Sequence, residues 1–170
     1  APNQEALNWF MRSVLPRVLA ARPAARLVVV GSDPPPRHAL PDQGRGIELK
    51  GFVEDVLAPL RDYAVFVCPI LSGSGVRVKL LEAFASGIPV VSTRIGAEGL
   101  ATEDGDICAL ADDPEGFADR IVTLLTHPET GREMAMRARR SVEKDRDMRV
   151  ITRKLEESYR AVVREKRMGG

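Results

Sequence analysis

The sequence lacks several features that would place it in a specialised class of protein. It has two cysteines, Cys68 and Cys108, in 170 residues, too few for a disulfide scaffold or a four-ligand zinc site built on cysteine. No run of about 18 or more apolar residues is present, which excludes a membrane-spanning helix of ordinary length. The start has no basic and apolar leader and no initiator Met. We therefore expect a non-secreted chain that is part of a longer protein.

The composition that remains is that of an ordinary globular domain, with 44% hydrophobic and 29% charged residues. The length predicts one domain over residues 1–170. The formal net charge is +1, but it is unevenly distributed. Residues 1–131 carry 12 basic and 17 acidic side chains, a net charge of −5, whereas residues 132–170 carry 13 and 7, a net charge of +6. This asymmetry fits either contact with an anionic surface or a pair of solvated helices with basic outer faces.

Short apolar runs rich in β-branched residues alternate with segments of helical periodicity. This alternation predicts parallel strands joined by helical crossovers, and so a Rossmann-like parallel sheet with helices on both faces. Ligands bind such sheets at the carboxyl ends of the strands. Pro16 should kink or divide the first helix. The predicted strands are 27–30, 47–49, 65–68, 89–93 and 107–110, and the predicted helices are 3–22, 55–60 (one turn), 76–86, 114–126, 129–144 and 147–167.

A glycine-rich loop, residues 72–75, leaves the third strand and enters the helix predicted at residues 76–86. Two glycines let the backbone approach a ligand closely, and the start of a helix offers free N–H groups to an anion. Arg77 and Lys79 occupy the predicted first turn, where a cation is unfavourable unless an anion neutralises it. The pattern is neither a dinucleotide fingerprint nor a P-loop. The alternative is that Lys79 and Glu82, three residues apart, form an ordinary surface ion pair.

The block from Gly73 to Thr93 resembles the family 4 (group 1) retaining glycosyltransferases of the GT-B fold. Its most specific part is Gly73-Ser74-Gly75-Val76-Arg77 with Lys79, followed by residues 81–93, Leu-Glu-Ala-Phe-Ala-Ser-Gly-Ile-Pro-Val-Val-Ser-Thr. Residues 2–6, 27–31 and 51–55 extend the similarity over most of the chain. The resemblance implies the carboxyl-terminal half of such an enzyme, a Rossmann-like domain that binds a nucleoside diphosphate sugar.

The resemblance also implies roles for individual residues. Glu82 matches the second glutamate of the family's Glu-x7-Glu motif and would bind the donor ribose. Where the first glutamate would stand, this chain has Ser74, so the site is more positive. The turn formed by Gly51, Phe52 and Val53 would lie beside the nucleobase. The donor diphosphate would be held by Gly73, Ser74, Gly75, Val76, Arg77 and Lys79.

Several expectations about the whole protein follow from the same resemblance. Family members usually need no catalytic metal or other cofactor, and we expect no nucleic-acid partner. The acceptor, a glycan or a lipid-linked glycan, would be bound by an amino-terminal domain that this chain lacks, so the chain alone should not turn over. We expect action in the cytoplasm, with peripheral membrane contact through the basic residues of the last predicted helix, among them Arg153, Lys154, Arg160, Arg164, Lys166 and Arg167.

The sequence also fits other interpretations. The chain could be a non-catalytic α/β module that binds a protein through its first and last helices, or part of a sugar-nucleotide epimerase, which shares the architecture. A stretch of aspartates (Asp104, Asp106, Asp112 and Asp113) could hold a metal, although aspartate is also a usual turn and helix-cap residue. His38 and His127 are not accompanied by residues that would suggest a Ser-His-Asp triad. No catalytic residue is assigned from the sequence.

Overall fold

The structure, a computed structural model, describes residues 2–31, 34–53, 60, 62–73 and 77–145. Within these residues the strands are β1 (Leu27–Val30), β2 (Ile47–Gly51), β3 (Phe66–Cys68), β4 (Val90–Ser92) and β5 (Ala109–Leu110). The helices are α1 (Pro2–Trp9), α2 (Leu15–Ala21), α3 (Val78–Ser86), α4 (Pro114–Thr126) and α5 (Pro128–Asp145). The predicted helix at 147–167, with its basic residues, and the predicted helical turn at 55–60, apart from Leu60, lie outside the described residues.

All the strand pairs are parallel, as the alternating pattern predicts. Strand β1 pairs with β2, and β4 lies between β3 and β5. The ladder between β1 and β2 is irregular between Val29 and Val30, so that Val30 stands opposite Gly51. The second strand is longer than the predicted residues 47–49, and the fifth is shorter than the predicted 107–110.

Strands β1 and β2 form one sheet, and strands β3, β4 and β5 form a second. Successive side chains of a strand point to opposite sides, so the second sheet has two apolar faces, and both are covered by helices. On one face Val91 and Ala109 pack with residues of α2 and α4, and Leu27 and Ile47 of the first strand pair join the same cluster. On the other face Val90, Cys108 and Leu110 pack with Leu80, Ala83 and Phe84 of α3. Helix α5 contributes to both clusters, through Met134 and Ala138. This arrangement confirms the predicted parallel architecture with helices on both faces.

The first helix is divided near Pro16, as the sequence predicts. Between α1 and α2 lie five residues of π-helix, Phe10–Val14, and the Leu15 amide donates to the Phe10 carbonyl five residues earlier. Proline has no amide proton and its ring displaces the preceding carbonyls, so a wider turn removes the conflict without ending the helix. Phe10 and Val14 remain buried in the core.

The ends of the later helices also follow from the sequence. Helix α3 ends at Gly87, which has φ of +75° and ψ of 27°. The Gly87 amide donates to the Phe84 carbonyl at 3.1 Å and the Ile88 amide donates to the Ala83 carbonyl at 3.4 Å, the two hydrogen bonds of a Schellman cap.

None of the helices among the described residues is both long enough and apolar enough to span a membrane.

Candidate anion and nucleotide site

The glycine loop follows β3 and leads to the start of α3. Gly73 has φ of +100°, a conformation that residues with a Cβ rarely adopt. Ser74, Gly75 and Val76, three of the residues predicted to hold a diphosphate, lie outside the described residues. The described part of the loop, residues 69–73, is called the glycine loop below.

Helix α3 begins at Val78, so the predicted start at residue 76 is wrong. Arg77 is the N-cap residue, with an extended backbone (φ −85°, ψ 91°), and its side chain makes no capping hydrogen bond. Its guanidinium turns back instead, and Nη2 donates to the Gly73 carbonyl at 3.0 Å. Arg77 therefore precedes the first turn rather than occupying it, and its charge lies over the glycine loop.

The two faces of α3 are divided as the sequence predicts. Leu80, Ala83 and Phe84 are buried against the sheet. Lys79 and Glu82 lie on the outer side, and Lys79 Nζ is 2.9 Å from Glu82 Oε2. The Lys79 side chain is 65% exposed and that of Glu82 is 29% exposed. The predicted ion pair is thus formed between a largely exposed lysine and a partly buried glutamate.

The start of α3 is electrostatically unusual because no acidic residue stands in its first turn. Helix geometry leaves the amides of Val78 and Lys79 without an acceptor inside the helix. The positive end of the helix dipole therefore lies next to two cationic residues, Arg77 before the first turn and Lys79 within it. Such a convergence favours binding of an anion such as a diphosphate.

The glycine loop is held from two sides by residues that the sequence reasoning did not identify. Ser72 Oγ donates to Glu5 Oε2 at 2.9 Å, which ties the loop to the first turn of α1. Thr93, after β4, donates through Oγ1 to the Ile70 carbonyl. The only signal for Thr93 in the sequence was a serine–threonine pair that ends an otherwise apolar strand.

The residues predicted to lie beside a nucleobase follow the other strand pair. Gly51, the last residue of β2, has φ of +66°, and its carbonyl accepts a hydrogen bond from the Gly31 amide at 2.9 Å. Phe52 comes next and is 73% exposed, while Val53 is partly buried. An exposed aromatic ring at the carboxyl end of a parallel strand offers a flat apolar face on which a base can stack.

The aspartate stretch is engaged in caps and ion pairs. The carboxylate of Asp112 contacts the Arg94 side chain at 3.3 Å, that of Asp104 pairs with Arg120, and that of Asp106 lies 3.6 Å from Arg137. Asp113 caps α4 by accepting a hydrogen bond from the Gly116 amide at 2.8 Å. In the described part of the chain, no group of three or more His, Cys, Asp or Glu residues is placed to share a metal ion.

The two histidines are similarly remote from a catalytic arrangement. His38 is exposed, and His127, at the end of α4, lies 3.4 Å from Glu129.

Both cysteines are free thiols. Burial raises the pKa of the Cys68 thiol and, more strongly, that of Cys108 above their ordinary value of 9.0, so both thiols are held in their protonated form at neutral pH.

Comparison with known proteins places these observations in a family. The model of the family described as glycosyl transferases group 1 matches residues 1–127. An uncharacterised 44.6 kDa protein in the cps region of Klebsiella pneumoniae is 27% identical over 160 residues, which cover 88% of this chain and 40% of that protein. A GDP-mannose-dependent monoacylated alpha-(1-6)-phosphatidylinositol monomannoside mannosyltransferase of Corynebacterium glutamicum is 27% identical over 153 residues, 83% of this chain and 40% of that protein.

A solved structure agrees on the fold. Anabaena HepE, crystallised in complex with UDP, superposes with a TM-score of 0.76 at 17% identity, covering 91% of this chain and 46% of that one. The chain thus spans about two fifths of the length of these curated relatives and less than half of that structure. The fold predicted from the sequence is that of these neighbours.

Proposed function

The chain belongs to the group 1 glycosyltransferases, and we propose that it is the donor-binding domain of a retaining enzyme. That enzyme transfers a sugar from a nucleoside diphosphate sugar to a glycan or a lipid-linked acceptor. The observation that carries the proposal is the cationic start of α3, where Arg77 bonds the Gly73 carbonyl, Lys79 follows in the first turn, and no acidic residue stands in that turn. A pyrophosphate group supplies the negative charge that this end of the helix lacks.

In this proposal each group at the site has a distinct task. The amides of Val78 and Lys79 donate to phosphate oxygens, and the ammonium of Lys79 neutralises their charge. Glu82 stands one turn further along the same face of α3, where its carboxylate accepts hydrogen bonds from ribose hydroxyls. The ring of Phe52 stacks on the base. Ser74, Gly75 and Val76 stay assigned to the diphosphate as a prediction from the sequence.

In this proposal Lys79 exchanges its ion pair with Glu82 for a contact with the donor. Lys79 Nζ, 2.9 Å from Glu82 Oε2, must turn toward the diphosphate. An exposed i,i+3 pair of this kind is worth roughly 0.2–0.5 kcal/mol. A charge-assisted hydrogen bond to phosphate is worth about 1.5–3 kcal/mol. Breaking the ion pair therefore costs less than the new hydrogen bond contributes.

Chemistry at the anomeric carbon requires more than this domain. Since the chain spans about two fifths of its curated relatives, we assign the acceptor site and the closure of the active site to the rest of the protein. The chain alone then binds donor without transferring sugar. We propose that catalysis uses no metal or other cofactor, because diphosphate charge is met by Arg77, Lys79 and the helix dipole.

Two further points concern the biological setting. The name of the Corynebacterium relative specifies a phosphatidylinositol-linked acceptor, which supports a lipid-linked acceptor among those we propose. The free thiols of Cys68 and Cys108 suit a reducing compartment, and we place the protein in the cytoplasm. The peripheral membrane contact stays a proposal that rests on the basic sequence after residue 145.

Calorimetric titration with UDP, GDP, ADP and dTDP tests the proposal, since the base is not specified. We expect one of these to bind the wild-type chain, and Lys79→Ala to weaken that binding by about 1.5–3 kcal/mol. Arg132→Ala, which removes an exposed cation from α5, is the matched control and should leave affinity unchanged. The proposal would be contradicted if none of the four nucleotides binds, or if Lys79→Ala and Arg132→Ala lose the same amount of nucleotide affinity.

A further inference from the structure

Thr93 occupies the point where the chain leaves β4, and it is 2% exposed. Its hydroxyl makes two hydrogen bonds that join different loops. Oγ1 donates to the carbonyl of Ile70 in the glycine loop and accepts a hydrogen bond from the Gly96 amide at 2.9 Å. One buried hydroxyl thus connects the loop after β3 to the turn after β4.

Ser92 strengthens the same connection one residue earlier. Its side chain is fully buried, and Oγ lies 3.1 Å from the Cys68 carbonyl and 2.9 Å from the Thr93 carbonyl. The Thr93 amide also donates to the Cys68 carbonyl at 3.3 Å. The backbone at the start of the glycine loop is therefore bonded to the end of β4 at Cys68 and at Ile70.

The turn after β4 packs closely against Ser92 and the backbone of Cys68 at Gly96. A Cβ on Gly96 would lie 2.5 Å from Ser92 Oγ and 2.7 Å from the Cys68 carbonyl oxygen. Real Cβ atoms essentially never approach so closely, so only glycine permits the contact. Buried hydroxyls are costly unless they are bonded. Here Ser92 and Thr93 are bonded to the backbone of residues 68–70 and 93–96.

The other contacts of the glycine loop are exposed. The hydrogen bond from Ser72 to Glu5 and that from Arg77 to the Gly73 carbonyl both lie at the surface. A hydrogen bond exposed to water is weaker than one in the low dielectric of the protein interior, so it holds the loop less firmly. Among the described residues, the position of the glycine loop is consequently fixed mainly by the buried hydroxyls of Ser92 and Thr93 at the end of β4.

We propose that Thr93 is a positioning residue for the donor site. Its hydroxyl fixes the glycine loop against the turn at residues 94–97, so that Gly73 and the start of α3 present one rigid surface to the diphosphate. This inference rests on the proposed function. A site that is already in place loses less freedom on binding and binds more tightly.

Two substitutions separate the hydroxyl from the space it fills. Thr93→Val keeps the branched shape and removes both hydrogen bonds, whereas Thr93→Ser keeps the hydroxyl and removes a methyl group. We expect Thr93→Val to weaken binding of the preferred nucleoside diphosphate by about tenfold, and Thr93→Ser to bind within about twofold of wild type. In the free protein, exchange of the Gly96 amide should become faster in Thr93→Val only, because that amide loses its acceptor.

A general loss of stability is controlled by Cys108→Ala. Cys108 is fully buried next to the same strands, and its thiol bonds the Val90 and Ala109 carbonyls rather than the glycine loop. This variant should lower the melting temperature and leave nucleotide affinity unchanged. If it weakens binding as much as Thr93→Val does, the effect belongs to stability and the inference is wrong.

The outcomes for the site and for Thr93 are distinguishable. If wild type binds none of the nucleotides, the proposed function fails, and the positioning role fails with it. If wild type binds and Thr93→Val binds equally well, the inference alone is overturned. If Thr93→Ser loses as much affinity as Thr93→Val, packing of the methyl group explains the result and the hydroxyl has no positioning role.

Discussion

At the scale of single residues, the main feature is that Lys79 and Glu82 contact each other on the outer side of α3. We assign them to different parts of one ligand, Lys79 to the diphosphate and Glu82 to the ribose. Glu82 therefore competes with the diphosphate for Lys79, and Lys79 competes with the ribose for Glu82. The ion pair, which the sequence offered as the alternative to the binding roles, is formed in the structure, and the binding roles stay a prediction.

This arrangement makes Glu82→Gln informative. The substitution removes the charge that holds Lys79, so binding of inorganic pyrophosphate should stay constant or strengthen by up to about twofold. Binding of the nucleoside diphosphate should weaken by about five- to tenfold, because the amide replaces a carboxylate that accepts from ribose hydroxyls. Calorimetry with both ligands measures the difference.

The control for this prediction is Glu133→Gln, which neutralises an exposed glutamate on α5. It should leave both affinities unchanged. Equal losses of pyrophosphate and nucleoside diphosphate affinity in Glu82→Gln would refute the ribose assignment.

The buried thiols give a second expectation at this scale. Burial raises the pKa of Cys108, and to a lesser degree that of Cys68, above the ordinary value of 9.0. Above about pH 9 the unfolded chain loses thiol protons that the folded chain keeps, so the free energy of unfolding should fall as pH rises. Urea unfolding from about pH 7 to 10 measures this slope.

Other groups titrate in the same range, so the thiols must be isolated. The double variant Cys68→Ala, Cys108→Ala starts from a lower stability, because it leaves space in the core. Its stability should decline less steeply above about pH 9 than that of wild type. Parallel curves for the two proteins would show that the thiols do not cause the decline.

At the scale of elements, sequence patterns predicted the helices and strands well where local chemistry decides them. Gly87 ends α3 and Asp113 begins α4, because a left-handed glycine and an aspartate cap each satisfy backbone groups directly. The start of α3 was missed by two residues. Arg77 has an extended backbone and its side chain bonds the Gly73 carbonyl, a contact that no periodicity encodes.

The supports of the site were also beyond the reach of sequence patterns. The bonds from Ser72 to Glu5 and from Thr93 to Ile70 join residues 67 and 23 positions apart. Hydrophobic periodicity identifies which face of a helix or strand is buried. It does not identify which hydroxyl meets which carbonyl. The position of Lys79 and Glu82 on the outer face of α3 was therefore predictable, whereas the groups that hold the glycine loop in place required the structure.

The cap of α4 provides an element-scale prediction. Asp113→Ala removes the hydrogen bond to the Gly116 amide and should lower the free energy of unfolding by about 1 kcal/mol. Asp113→Asn keeps an acceptor at the same place and should cost only a fraction of that. Asp119→Ala, which removes the same charge from an exposed position in the helix, controls for charge. Losses from Asp113→Asn as large as those from Asp113→Ala would show that the cap is not the cause.

At the scale of the whole molecule, the basic carboxyl-terminal part is partly neutralised within the fold. On α5, Arg139 pairs with Glu143 at 2.8 Å, and Arg137 lies 3.6 Å from the carboxylate of Asp106. These contacts agree with the interpretation of basic helix faces in water for residues up to 145. The basic residues from 146 onward lie outside the described part of the chain.

The proposed function depends on a nucleoside diphosphate binding at the start of α3. The most direct measurement is an amide NMR titration of the isotopically labelled chain with UDP, GDP, ADP and dTDP at up to about millimolar concentration, a range suited to weak binding. We predict that one nucleotide produces saturable shifts centred on Gly73 and residues 77–79, and that these shifts are greatly reduced in Lys79→Ala. Saturable shifts confined to other parts of the chain, or none with any of the four nucleotides, would contradict the account.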